Sequence, residues 1–135
     1  MKKIHKNIYR SYLYTGEEDI YNTLALSFDG DELDKHFFII LKDIRELEAS
    51  GYRNIIKYIK YEEINIEKTT RSYLRIRMKW QVLALVKHIN HEHDRISIYE
   101  ASYKLSFKNS KLKIIGTTII HQKRIESEKR PLQNG

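Results

Sequence analysis

Leu74-Arg75-Ile76-Arg77-Met78-Lys79-Trp80-Gln81-Val82-Leu83-Ala84-Leu85-Val86 alternates apolar with polar residues as far as Gln81 and keeps one parity apolar throughout. Leu74, Ile76, Met78, Trp80, Val82, Ala84 and Val86 share one parity, and Arg75, Arg77, Lys79, Gln81, Leu83 and Leu85 share the other. A period of two is the signature of a strand whose side chains point alternately to opposite faces. One face here is wholly apolar and has to be covered. The other begins as a cationic band and ends in two leucines.

Downstream the same period recurs. A strand is expected from about Ile96 to Lys108, with Tyr99, Ala101, Tyr103, Leu105 and Phe107 inward and Ser102, Lys104 and Ser106 outward. Asn109-Ser110 makes a turn, and a fourth strand runs from about Lys111 to His121, with Gly116 marking a bulge. Upstream, residues from Asn54 to Lys68 form a first strand with an irregularity near Tyr61-Glu62-Glu63.

Before Tyr52 the period is helical. Ile4, Ile8 and Tyr12 recur every four residues across Lys2 to Leu13. Thr15-Gly16-Glu17-Glu18 has the spacing of a capping box, opening a second helix that buries Ile20, Leu24 and Phe28. Asp29-Gly30-Asp31 interrupts it. A longer helix from about Glu32 buries Leu33, Phe37, Ile40, Leu41, Ile44 and Leu47 and stops at Ser50-Gly51. Three helices followed by four antiparallel strands predict an α+β fold in which the helices cover one face of a curved sheet.

The 135 residues suit one domain. Residues 1–125 read as that domain and 126–135 as a polar, disordered tail. A 41% hydrophobic content argues for a packed core, and the absence of cysteine excludes disulfides, thiolate nucleophiles and cysteine-bound zinc. The net charge of +7 favours acidic partners only if the cations cluster. Met1–Arg10 is basic but lacks the continuous apolar run of a secretory signal, so the chain as written reads as soluble.

Four groups of residues are candidates for chemistry. Met78, Trp80, Tyr99 and Tyr103 lie on inward faces and are expected to line a pocket for a small apolar ligand. Arg75, Arg77, Lys79, Lys104 and Lys113 make a basic sheet face almost free of acids, with Tyr73 nearby for stacking. Leu83 and Leu85 continue that face as an apolar patch, a pattern that suits a protein contact or self-association better than nucleic acid. His88, His91 and His93 offer nitrogen ligands for a metal, although strand parity sends His88 to the face opposite His91 and His93. Hydrogen bonding within a polar hairpin is the reading preferred for them, and no cofactor is expected.

Ile4-His5-Lys6-Asn7-Ile8-Tyr9-Arg10, Glu18-Asp19-Ile20-Tyr21-Asn22-Thr23-Leu24-Ala25, Ser27-Phe28-Asp29-Gly30-Asp31, Trp80-x-Val82, His88-x-x-His91-x-His93, Tyr99-Glu100-Ala101, Lys113-Ile114 and Arg124-Ile125 carry a resemblance over nearly the whole chain. The chain resembles an uncharacterised bacterial family of the nuclear transport factor 2 superfold, found as extracytoplasmic C-terminal domains of multi-span membrane proteins. Ile89-Asn90 and Leu112 depart from the family pattern, which has Trp-Gly and Trp there. The resemblance implies a cone with an internal pocket and a membrane-associated setting if a segment lies upstream. With no serine nucleophile motif, phosphate loop or paired carboxylates, the expectation is a non-enzymatic binding or assembly module. The alternatives are a dehydratase or isomerase using a pocket histidine, and a weak polyanion binder.

Overall fold

The computed structural model describes residues 1–108 and 111–131. Helix α1 (Lys2–Arg10) tightens into a 3-10 turn over Ser11–Leu13, then α2 (Glu17–Leu24) and α3 (Asp31–Ser50) follow. Strands β1 (Arg53–Thr69), β2 (Leu74–Lys87), β3 (His91–Lys108) and β4 (Lys111–Glu126) form an antiparallel meander in the order β1-β2-β3-β4. The sheet curls around the three helices as a half-barrel. This is the α+β architecture expected from the periodicity, with the cone-like form that the resemblance implies.

Local sequence explains most boundaries. Helix α3 ends where Gly51 takes a left-handed conformation at φ 73° and its N–H reaches the Leu47 and Glu48 carbonyls. A β-carbon in that conformation costs about 1–2 kcal/mol. Gly51→Ala is therefore expected to lower stability by about that amount, measured by urea unfolding. At the start of α2 the expected capping box is not formed: Gly16 is the N-cap, without a side-chain cap. Glu17, Glu18 and Asp19 support the helix N-terminus by charge instead. The predicted irregularity in β1 is present between Tyr61 and Glu63, with others between Ile56 and Tyr58 and between Ile66 and Lys68.

The core joins Ile20, Leu24, Phe28, Leu33, Ile40 and Ile44 of the helical layer to Ile76, Met78, Trp80, Val82, Ala101, Tyr103, Leu105 and Ile114 of the sheet. Beta bulges let β4 follow the curl, and the one at Lys104/Leu105 falls beside Gly116. An added β-carbon at Gly116 would lie 3.4 Å from Lys104 Cβ. Ser27 and Asp29 exchange backbone hydrogen bonds with Ile114, closing the beginning of the β4 edge.

Two strands run further than expected. Strand β3 begins at His91 rather than Ile96, and β4 continues to Glu126 rather than His121. The sheet extends beyond the helical layer here, so ladder pairing persists where apolar alternation has ceased. For the same reason Phe107, expected inward, is 73% exposed at the opposite end of β3. The 126–131 stretch, expected to fray, stays against β3: Ser127 N–H donates to the Asp94 carbonyl, and β5 (Arg130–Pro131) pairs with His91 and Glu92. The predicted turn at Asn109-Ser110 lies outside the described residues.

Candidate functional site

Three surfaces emerge from the strand register. The interior of the cone is filled where the sequence places a pocket. Met78 (0% exposed), Trp80 (3%) and Tyr103 (4%) are core residues, and of the four expected pocket residues only Tyr99 reaches a cavity. The space is taken by α1. His5, buried among Tyr9, Tyr61, Trp80 and Tyr103, stands edge-on to the indole at 4.3 Å between ring centroids. Its Nδ1 hydrogen-bonds the Tyr61 hydroxyl at 2.9 Å, and the Trp80 Nε1–H donates to the Tyr9 hydroxyl at 2.9 Å.

Burial pushes the His5 pKa down to about 3 and the Tyr61 pKa up to about 12, and it raises Tyr9 and Tyr103 as well. All four groups are neutral at physiological pH. The four-residue period of Ile4, Ile8 and Tyr12, which do pack against the core, does not include His5, so the period alone does not mark it. Positions 5 and 9 have helical spacing too, and they meet the aromatic sheet residues: His5 touches Tyr61, Trp80 and Tyr103, and Tyr9 accepts from Trp80. As a general base for an isomerase, this imidazole is poorly placed: it does not line the open cleft.

That cleft, about 1400 Å³, opens between the C-terminal half of α3, the 3-10 turn and the first half of β1. Val82, Ala84, Ser97 and Tyr99 form its floor, and Ile44 and Leu47 of α3 one wall. Tyr12 donates to Asp43 Oδ2 at 3.3 Å across the opening. Partial burial raises the Asp43 pKa, opposed by that hydrogen bond. Five cations line the cleft: Lys6, Arg10, Arg53, Arg95 and Arg124.

On the helix-free face, register produces a row that parity alone does not reveal. Tyr58 pairs with Leu83, Leu83 with Ile96, and Ile96 with Ile125, one residue from each strand. Tyr58 is 56% and Ile125 44% exposed. Leu85, the other expected contact residue, is buried beside Ile55. Next to this row the cationic band is interleaved with acids, contrary to expectation. Arg77 pairs with Glu100, Lys79 lies 3.8 Å from Glu63, and Ser102 holds Glu67. Lys104 sits over the Tyr73 ring at 4.5 Å, with Arg75 on the same ring, which occupies the expected stacking platform. Lys113 leaves the band altogether and donates to the Ala25 carbonyl at the end of α2.

The histidines meet at the hairpin. His88 N–H donates to the His91 carbonyl at 2.8 Å, closing a hairpin whose turn is Ile89-Asn90. Facing positions across such a hairpin share a face, so all three imidazoles lie together, whereas counting along a single strand separated His88 from the others. Their rings stack, His88 on His91 at 4.2 Å and on His93 at 5.1 Å, with Tyr52 edge-on to His88 at 4.2 Å. His88 Nε2, His91 Nε2 and both nitrogens of His93 are buried without a hydrogen-bond partner, and His93 Nε2 stands 3.6 Å from Glu126. Burial, and then the adjacent imidazoles, lowers the His88 pKa.

Among the described residues no group of three histidine or carboxylate side chains is arranged to hold a metal. The His91 and His93 rings lie within about 22° of parallel to the His88 ring, and among the described residues three donors do not converge as a tetrahedral site needs. Calorimetric titration with zinc is accordingly expected to show no tight one-to-one binding, and a tight isotherm abolished by replacing His91 and His93 with alanine would reverse this reading.

No protein-family model matches the sequence, and no curated protein does. The fold is similar to the crystal structure of the intermembrane space region of chloroplast protein ARC6. The match has a TM-score of 0.55 at 14% identity and covers 87% of this chain and 92% of that chain. At that identity the likeness is one of fold.

Proposed function

We propose that this chain is a non-enzymatic assembly module that engages a protein partner, or a second copy of itself, through the helix-free face of its sheet. The observation that carries this reading is the Tyr58–Leu83–Ile96–Ile125 row, which crosses all four long strands in direct register. Apolar side chains aligned this way, rimmed by paired charges, have the composition of an interface core surrounded by a polar rim. The cationic band beside it supports the reading, since Glu63, Glu67 and Glu100 offset the field a polyanion would require.

In this proposal residues 1–125 act as one domain of the nuclear transport factor 2 type, in a membrane-associated bacterial system on its extracytoplasmic side. Support for the setting comes from the resemblance carried by the His88-x-x-His91-x-His93 and Trp80-x-Val82 segments. The fold likeness to an intermembrane space region agrees with it. Among the described residues no helix is long and apolar enough to cross a membrane.

The test places a photo-crosslinking amino acid at Ile125, which belongs to the row and not to the edge of β1, in the native host, with Glu18 as a control position. A discrete crosslinked species from the row, lost in Leu83→Glu and Ile96→Glu variants that keep wild-type circular dichroism, is the expected result. Equal labelling from row and control positions defeats the proposal. Sedimentation of the purified chain separates self-association from a foreign partner.

A further inference from the structure

The cleft has an unusual lining. Ile56 and Ile59 of β1 face the helices, opposite Ala84 and Val82, whereas Ile55 and Tyr58 stand opposite Leu85 and Leu83 on the other face. Residues from both faces of β1 nevertheless line the same cleft. That lining agrees with a cleft that reaches the edge of the strand, where the bulge between Ile56 and Tyr58 also lies.

The edge is open. Strand β1 ends the sheet order, and among the described residues its outer side receives no backbone hydrogen bond from any other element. The wall opposite, Ile44 and Leu47 of α3 with Tyr12 and Tyr14, stands back far enough to leave the cleft between them. The first half of β1, Arg53–Ile59, thus combines unpaired amide and carbonyl groups with adjacent apolar walls. These are the two ingredients of recognition by strand addition.

We infer that this cleft takes an extended segment of another polypeptide, acidic and with alternating apolar residues, as an additional strand along Arg53–Ile59. The register would be antiparallel or parallel to β1, with one set of alternate side chains against Ile56, Ile44 and Leu47. The acidic preference follows from charge. Arg53 lines the cleft, and Lys57 and the following Lys60 are exposed cations along the same strand, which carries no acid before Glu62. None of the three makes a side-chain hydrogen bond or ion pair among the described residues.

The acids of the cleft are already engaged. Glu48 pairs with Arg45 at 3.2 Å, Glu46 with Lys42 at 3.9 Å, and Asp43 accepts from Tyr12. The same cations argue against a second copy of this chain as the occupant, since β1 paired with β1 would bring lysines and arginines together. Exposed lysines are a common guard on edge strands, and an acidic segment is the kind of strand that would neutralise them. This inference uses the edge of β1 and not the outer row; Tyr58 alone is common to both, and Leu83, Ile96 and Ile125 belong to the row only.

The test pans a phage library of random dodecapeptides on the purified full chain, followed by synthesis of the enriched peptides for fluorescence polarisation. Enrichment of sequences alternating apolar residues with Asp or Glu is expected. Methylating alternate backbone nitrogens of the selected peptide on the pairing side should weaken it at least about tenfold, because strand addition depends on those N–H groups. Lys57→Glu combined with Lys60→Glu should do the same, and both substitutions are at exposed positions that leave the core intact. Hydrogen exchange should show new protection at 53–59.

Four outcomes would overturn the inference. One is no enrichment over beads. Another is binding indifferent to backbone methylation on either set of alternate nitrogens. A third is selected peptides without acidic character that bind the Lys57→Glu/Lys60→Glu variant equally well. The last is edge protection that appears with protein concentration alone, which would make a second copy the occupant. Leu83→Glu should leave peptide affinity unchanged, which separates this edge from the outer row.

Discussion

Acidification from pH 6.5 towards pH 4 is expected to destabilise the fold well before the bulk of its carboxylates titrate, and His5 is the main cause. Its imidazole is sealed among four aromatic rings, and burial holds its pKa near 3, against 6.5 for the free group. Between those values the unfolded chain binds a proton that the native chain does not. Stability therefore rises with pH through the window and is lost as pH falls below 6.5. Each pH unit of the gap is worth about 1.4 kcal/mol, so the full effect approaches about 4–5 kcal/mol, a large part of a typical domain's stability.

His36, stacked on Phe28 at 4.1 Å, is also lowered by burial, with Glu32 opposing, and it adds to the same trend. His5→Phe retains an aromatic body while removing the titrating group. Urea unfolding at stepped pH should then give a curve flatter than wild type by about one proton, or about 1.4 kcal/mol per pH unit, between pH 6 and about pH 4. Parallel wild-type and variant curves would show that His5 is not sealed as described.

Loss of the indole of Trp80 should have an effect of similar size. The side chain is 3% exposed, packs on His5 and Tyr99, and donates its only hydrogen bond to Tyr9. Trp80→Ala removes the packing between α1 and the sheet and is expected to cost about 3–5 kcal/mol. Trp80→Phe keeps an aromatic ring but leaves the Tyr9 hydroxyl without its donor. Burial already holds that hydroxyl neutral, so it has no charged form with which to recover solvation. A cost of about 1–3 kcal/mol is expected.

Tyr9→Phe should cost a similar amount from the other side of the bond. The double variant Trp80→Phe/Tyr9→Phe should lose less than the sum of the two, because neither polar group is then left behind. Additive losses would show that the Trp80–Tyr9 hydrogen bond contributes nothing specific. Since α1 is held to the sheet largely through His5, Tyr9 and Trp80, the larger losses should release α1 first, visible as early amide exchange over residues 2–10.

The amino-acid sequence by itself determined the elements and their order. Alternation from Leu74 to Val82 marks a strand, Gly51 needs the freedom of a left-handed stop, and Gly116 marks a bulge beside Lys104. These features depend on backbone sterics and on side-chain periods within a few residues. Each can therefore be read locally. The apolar face of β2 likewise announced a core, because seven aligned apolar residues have to leave water.

What only the tertiary structure decided is which residues meet. Whether Met78, Trp80 and Tyr103 enclose a cavity depends on what enters the cone, and that is settled by a histidine from a helix more than seventy residues away from the indole it touches. The basic band lost its isolation because Glu63 and Glu100 arrive from neighbouring strands in a register that bulges alter. His88 joined His91 and His93 because a tight hairpin sets facing residues on one side, a relation invisible to parity counted along one strand. The outer row of Tyr58, Leu83, Ile96 and Ile125 and the open edge of β1 belong to the same class. They are properties of strand pairing, and pairing partners distant in sequence are chosen by the packed sheet as a whole.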